Sequence, residues 1–221
     1  MEKEEKKETQ KEEKIETKKV EKKEEKVEKK ENFDFKSIFD TFVETIKGLF
    51  TNPVETLESI TKDSKLVFGL ISIVLVAISA LIYNTALLYS IYDKLSKGWF
   101  DQSFDVMLYE LAFLSVAALM IYLMANKVFK DKISIQKSFA LVGGIAVIST
   151  LANLISSIMI LISDDIAIYV IKTAEIAFYI LLYQGLLSTT KLKGNKIVCV
   201  ILVSIIVALL TKNLLLPELF N

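Results

Sequence analysis

The sequence predicts an all-α, polytopic membrane protein with five transmembrane helices, preceded by a charged tail and amphipathic helices. The first observation is the run Leu66–Tyr92, which holds 27 residues without a charge. A helix needs about 20 apolar residues to cross the hydrocarbon layer, and a soluble core helix would carry a polar face. Four further apolar blocks follow, and only 2 Pro and 7 Gly interrupt the chain, which favours long helices. The predicted spans are Leu66–Leu88, Val106–Ala125, Phe139–Ile162, Ile166–Leu187 and Ile197–Leu216.

Residues 1–32 are predicted to be a Lys/Glu-rich cytoplasmic tail. They contain 12 Lys and 12 Glu, with Ile15, Val20 and Val27 as isolated apolar side chains. So few apolar residues cannot offset the entropy of ordering a packed fold. We therefore expect a solvated, disordered or partly helical tail. A coiled coil or partner-binding segment is the alternative, since Val20 and Val27 lie one heptad apart.

Residues 33–64 are predicted to form amphipathic interfacial helices, and residues 65–221 the five-span membrane domain. Between Phe35 and Phe50 the apolar residues recur at helical spacing, with charged residues largely between them. This aromatic face favours a helix lying at the membrane surface, and docking on the cytoplasmic ends of the spans is the equal alternative. A second helix is predicted to start at Asn52-Pro53 and to turn Val54, Leu57 and Ile60 inward.

Composition argues against several classes of function. The chain has no His, and its one Cys, Cys199, lies in the last apolar block. His-based catalysis, His-metal ligation and an intramolecular disulfide are therefore excluded. We expect no enzyme activity, no cofactor, no metal and no nucleic-acid partner. All 27 basic residues are Lys, a bias associated with A/T-rich, mostly prokaryotic genomes.

Loop charge predicts the orientation of the spans. Lys residues gather before the first span, between the second and third spans, and between the fourth and fifth spans. The alternate loops are poorer in Lys, and one carries only Asp164 and Asp165. Because Lys-rich loops stay in the cytoplasm, the N-terminus is predicted to be cytoplasmic and the C-terminus outside. We expect a multi-pass protein of the cell membrane, or of an endomembrane if the source is eukaryotic.

The arrangement resembles the Yip family of membrane proteins, first known as partners of Ypt/Rab GTPases. The resemblance rests on the aromatic amphipathic helix, the segment Asn52-Pro53-Val54-Glu55-Thr56-Leu57 and five closely spaced spans after a cytoplasmic N-terminus. It covers roughly Phe33 to the C-terminus and implies an all-helical, non-catalytic membrane protein, here a prokaryotic member. The Asp-Leu-Tyr-Gly-Pro element of eukaryotic members is absent. Rab binding and family site residues are therefore not carried over.

Polar side chains inside the predicted spans are the candidate functional residues, because an ionisable group there costs about 2.5 to 3.5 kcal/mol. A functional interpretation is a polar cluster in the outer half of the bundle, with Lys172 and Glu175 one turn apart. A structural interpretation is an ion pair whose lysines reach the outer interface. Asn153 is expected at the height of Glu175 and, with Lys172, is a predicted partner of its carboxylate. The candidates are Glu175, Lys172, Asn153, Glu110 and Lys212.

Two weaker patterns accompany these residues. Ala140 and Gly144 form a small-xxx-small pair that predicts close packing of the third span. Trp99 and Phe100 are predicted to anchor the first external loop at the interface.

The function predicted from the sequence is a non-catalytic membrane protein that organises membranes, acts in trafficking or binds proteins. Its partners are the lipid bilayer and an unidentified protein, the latter through the tail. The alternative is a transporter or channel subunit that uses the Lys172/Glu175 pair.

Overall fold

Helices carry nearly all of the chain that the structure describes. The computed structural model describes residues 35–62, 65–92 and 98–215, with side chains from Lys36 to Thr211, and it contains no β-strand in these ranges. The described residues from Ile38 onward form one compact unit. The helices are α1 (Phe35–Thr51), α2 (Pro53–Lys62), α3 (Leu66–Tyr92), α4 (Trp99–Leu123), α5 (Ile135–Met159), α6 (Asp164–Thr189) and α7 (Asn195–Leu215). The predicted tail, residues 1–32, lies outside the described residues.

Four of these helices are long and apolar enough to cross a membrane: α3, α5, α6, and α4 together with a π-helical turn that extends it to Val128. The fifth apolar helix, α7, is described with its side chains over Asn195–Thr211, which is shorter than the other four. The described residues thus confirm the all-helical prediction and contain four candidate membrane spans. A fifth span remains a prediction.

The second and fourth spans begin earlier than their hydropathy predicted. Helix α4 starts at Trp99 rather than Val106, so Trp99 and Phe100 lie in its first turn and not in a loop. Acidic residues caused the error. Asp101 in the first turn of α4, like Asp164 and Asp165 in that of α6, lowers local hydropathy, yet an acidic side chain at a helix N-terminus stabilises the helix.

Helix α5 is the centre of the bundle and packs against α2, α3, α4 and α6. Its small residues allow the closest of these contacts. A Cβ atom at Gly143 would overlap the backbone of Gly69 in α3, and a Cβ at Gly69 would overlap Phe139 and Ala140. Of the predicted small-residue pair, Ala140 lies at this contact. Gly144 instead faces Ile60 of α2, so the glycine that meets α3 is Gly143, three residues along from Ala140.

Polar side chains of α5 also form hydrogen bonds with its neighbours α4 and α6. Ser138 donates a hydrogen bond to the Ala118 carbonyl of α4, and Ser156 donates to the Ala167 carbonyl of α6 at 3.0 Å. Both serines are fully buried. In an apolar surrounding such bonds satisfy groups that would otherwise be costly to bury.

The α1 helix divides its apolar side chains between the protein and the outside. Leu49 is buried in the main core, and Phe42 and Ile46 pack against a small cluster that includes Ile60. Phe39 and Phe50 remain 58% and 71% exposed. Part of α1 is therefore docked on the bundle, as the second alternative predicted. The rings of Phe39 and Phe50 are exposed.

The α2 helix follows α1 almost without a break. The Asn52 carbonyl accepts from the Thr56 N–H at 3.0 Å, and the Asn52 N–H donates to the Gly48 carbonyl at 2.7 Å. As predicted, Leu57 and Ile60 point inward, with 0% and 3% exposure. The prediction for Val54 is wrong, because it is 40% exposed: it lies in the first turn of α2, ahead of the helix's first buried residue, Leu57.

Hydrogen bonds connect neighbouring segments at each end of the bundle. Their positions fit spans that run alternately in opposite directions. Ser90, near the end of α3, donates to Asp164 at the start of α6 (2.9 Å). At the opposite end, the Asp131 carboxylate accepts from the Lys191 N–H (2.7 Å). The end of α3 and the start of α6 thus share one end of the bundle, and the two Lys-rich loops around Asp131 and Lys191 share the other.

Candidate functional site

A cavity of about 220 Å³ lies among the spans and is lined by residues of α3, α4, α5, α6 and α7. Apart from six polar residues, the wall of this cavity is largely apolar. Polar side chains in the interior of a membrane bundle are expensive and commonly mark a functional site. The polar lining residues are Tyr109, Glu110, Ser149, Asn153, Glu175 and Tyr179.

The two carboxylates of this cavity lie at similar depth. Glu110 follows Trp99, the first residue of α4, by eleven residues, and Glu175 follows Asp164, the first residue of α6, by the same number. At 1.5 Å per residue each lies about 16 Å along its helix. Because both helices start at the same end of the bundle, the two acidic side chains reach one cavity.

Lys172 and Glu175 form the ion pair that their spacing predicted. The Lys172 ammonium lies 2.9 Å from the Glu175 carboxylate. The two side chains are 64% and 49% exposed on the bundle surface, so the pair stands at the side of the cavity. A carboxylate this far from either helix end needs such a partner, because an unpaired charge is strongly unfavourable in an apolar medium.

Asn153 lines the same cavity. Its side-chain hydrogen bond, however, goes to a residue other than the predicted Glu175. Its side-chain amide donates to the Ser79 hydroxyl of α3 at 3.0 Å, and only 9% of the residue is exposed. Ser79 in turn donates to the Val76 carbonyl at 2.8 Å. The predicted donation to Glu175 is therefore replaced by a link to α3, because this face of α5 packs against α3.

The remaining two candidates are Glu110 and Lys212. Glu110 is half-buried and lines the cavity. The side chain of Lys212 lies outside the described residues.

Aromatic residues complete two walls of the site, and the sequence analysis did not assign them to it. On α4, the Tyr109 and Phe113 rings have centroids 5.8 Å apart, and on α6 the Phe178 and Tyr179 rings are 5.7 Å apart. A signal was present for one of them: Tyr179 follows Glu175 by four residues, which places both on one helix face. Tyr109 gave no such signal, since a residue next to Glu110 in sequence points elsewhere on an isolated helix.

The chemistry of this lining is that of a cation or hydrogen-bonding site. The cavity wall carries two carboxylates and no basic side chain among its described residues. Within the described ranges, no group of three or more His, Cys, Asp and Glu residues is placed to hold a metal ion.

Comparison with known proteins places the chain in a family. Residues 47–211 match the family model described as the Yip1 domain. This match extends from the end of α1 into α7 and covers more than half of the chain. No curated protein and no solved structure matches the chain. On the strength of the domain match, the chain belongs to the Yip family.

Proposed function

We propose that this Yip-family protein is a non-catalytic, multi-pass membrane protein that organises the bilayer and recruits protein partners at the cytoplasmic face. The observation that carries the proposal is the α1–α2 segment. It is anchored on the bundle by Leu49, Leu57 and Ile60, which are 5%, 0% and 3% exposed. At the same time it leaves two phenylalanines uncovered.

The exposed rings give this segment an affinity for lipid. Phe39 and Phe50 are 58% and 71% exposed, and full burial of such a side chain contributes about 1.5 to 3 kcal/mol. An amphipathic helix with one apolar face lies parallel to the membrane at the boundary between headgroups and acyl chains. Because α1 is fixed to the spans, its insertion would expand one leaflet and not the other.

The proposed topology has five spans, a cytoplasmic N-terminus and an external C-terminus in a prokaryotic cell membrane. The Lys-rich loops support the orientation, and the bond from Lys191 to Asp131 supports placing two of those loops at one end. The tail, residues 1–32, would then present its balanced charges to a protein partner in the cytoplasm.

Cysteine labelling tests the topology. In a Cys199→Ser background, Asp164→Cys should react with an impermeant reagent added from outside, and Asp131→Cys should react only after the membrane is opened. The reverse pattern would refute the orientation.

Reconstitution tests the membrane-organising role. Wild-type proteoliposomes should be smaller than protein-free vesicles of the same lipid, as measured by electron cryo-microscopy. The Phe39→Ser/Phe50→Ser variant should lose this effect. Phe100→Ser is the matched control, since Phe100 is a 53% exposed ring on α4 rather than on α1, and it should retain the effect. Equal diameters for wild-type and protein-free vesicles would contradict the proposal.

A transporter or channel subunit is the second candidate, and the polar cavity favours it. Glu175 and its partner Lys172 stand beside that cavity at 2.9 Å from each other, as a coupling pair would. Saturable tracer flux through wild-type proteoliposomes, abolished by Glu175→Gln in a correctly folded protein, would support this candidate over the first.

A further inference from the structure

We propose that the cavity between α4 and α6 binds a small organic ammonium ion. The site is independent of the membrane-organising role, and under the second candidate function it would be the substrate site. Its essential parts are the two carboxylates and the two aromatic pairs that line it.

The walls contributed by α4 and α6 each contain one Glu, one Phe and one Tyr. On α4, Glu110 is followed by Phe113 and preceded by Tyr109; on α6, Glu175 is followed by Phe178 and Tyr179. All six side chains line the cavity. Each helix therefore brings one negative charge and two rings to the same space.

Carboxylates together with aromatic rings favour an organic cation. The face of an aromatic ring attracts a cation, and quaternary ammonium groups are characteristically bound in aromatic cages. Anions are disfavoured, because the described lining includes Glu110 and Glu175 and no Lys. The charge and the rings point to the same class of ligand.

A metal ion fits the cavity less well. Calcium takes six to eight oxygen ligands and magnesium prefers an octahedral oxygen shell. The described residues contain no group of three or more acidic, His or Cys side chains arranged for a metal. Much of the wall is instead apolar, including Val76, Leu114 and Ile171. Methyl groups of an alkylammonium ion would contact such a wall favourably.

The protein itself shows how one carboxylate of the site accepts an ammonium group. The Lys172 ammonium stands 2.9 Å from Glu175, although Lys172 does not line the cavity. Its side chain is 64% exposed on the bundle surface. A ligand inside the cavity would approach the same carboxylate from the other side and share or replace this contact.

Isothermal titration of the full-length protein in nanodiscs of phosphatidylglycerol tests the site. Tetramethylammonium is the probe, and tert-butanol is its neutral counterpart of similar shape. Wild-type protein should bind tetramethylammonium saturably and at least tenfold more tightly than tert-butanol. Equal binding of the two, or no saturable binding of tetramethylammonium, would overturn the proposal without any variant.

Variants then assign the binding to these walls. Glu110→Gln and Glu175→Gln should each weaken binding at least tenfold, and Tyr179→Leu should weaken it severalfold while Tyr179→Phe keeps the ring and the affinity. Glu58→Gln, which changes an exposed carboxylate of α2, is the matched control and should bind as wild type. Unchanged affinity in folded Glu110→Gln and Glu175→Gln proteins would place the probe elsewhere and refute the site.

The bilayer distinguishes two sources of the ligand. If a choline headgroup reaches the cavity, tetramethylammonium should bind several times more weakly in phosphatidylcholine nanodiscs than in phosphatidylglycerol nanodiscs. If the ligand is a free solute, the affinity should be equal in both. Either result is consistent with an ammonium site and identifies its source.

Discussion

Helix α5 contacts its neighbours in two different ways. At the α3 contact, Gly143 meets the backbone of Gly69 with no room for a single added carbon. Farther along, the same helix presents Ser149 and Asn153 to an open cavity. The first region is closely packed, and the second is hollow, with polar groups in a largely apolar wall. The two regions differ in the space left beside α5, which is none at the glycine contact and about 220 Å³ at the cavity.

The glycine contact should be the most sensitive part of the molecule. Gly143→Ala would force the α3 and α5 backbones apart, since the added carbon overlaps backbone atoms of Gly69 that cannot rotate away. We expect a loss of about 3 kcal/mol in the free energy of unfolding, at the upper end for overpacked positions. Denaturant titration in detergent, followed by circular dichroism, measures it.

The neighbouring glycine provides the control. A carbon added at Gly144 would lie 3.1 Å from Cδ1 of Ile60, the end of a flexible side chain that is able to shift. Gly144→Ala should therefore cost much less than Gly143→Ala. Similar losses for both variants would mean that the α3 contact is not special.

The buried hydrogen bond from Asn153 to Ser79 should have an intermediate effect. Asn153→Ala removes a donor that lies 3.0 Å from its acceptor between α3 and α5. Such bonds in membrane proteins contribute about 1 to 2 kcal/mol at most. A double-mutant cycle with Ser79→Ala measures the coupling. Full additivity of the two single variants would show that the bond contributes nothing.

The ion pair beside the cavity should affect stability less than the buried bond. Glu175→Gln keeps a hydrogen-bond acceptor for Lys172, and both side chains are about half exposed or more. We expect a change of about 0.6 kcal/mol or less, measured by the same denaturant titration. A large loss of stability would make the pair a structural element and weaken the contrast between the two regions.

The hydrogen bond at the bundle end should matter least. Ser90→Ala removes an exposed bond of 2.9 Å to Asp164, and surface changes of this kind stay within about 0.5 kcal/mol. Ser103→Ala is the informative comparison, because Ser103 is fully buried and accepts from Asn84 and Thr85. Thermal unfolding of both variants should rank Ser103→Ala as the more destabilised.

Much of the fold followed from the sequence because apolar run length is a local property. Leu66–Leu88 was predicted as a span, and it lies within a helix that runs over Leu66–Tyr92. The pairing of Lys172 with Glu175 was also local, since the two lie on one helix three residues apart. The start of α4 was misplaced by seven residues, because hydropathy does not register that an acidic first turn still belongs to the helix.

The partner of Asn153 and the division of the aromatic face of α1 could not be predicted in this way. Both depend on which helix packs against which. Asn153 was expected to face Glu175, but α5 turns that side chain to Ser79 of α3. Periodicity identifies an apolar face, yet it does not tell whether Phe42 or Phe50 on that face meets the protein.

The sequence by itself determined that the protein is helical, that it is built to cross a membrane, and that its ionisable residues within the spans are few. Hydrocarbon thickness and the cost of buried charge act on each segment separately, so the order of residues is sufficient. Only the tertiary structure decided that Glu110 and Glu175, sixty-five residues apart in the chain, line one cavity with four aromatic rings. That meeting depends on the packing of α4 and α6 against α5, a contact between distant segments that no local pattern specifies.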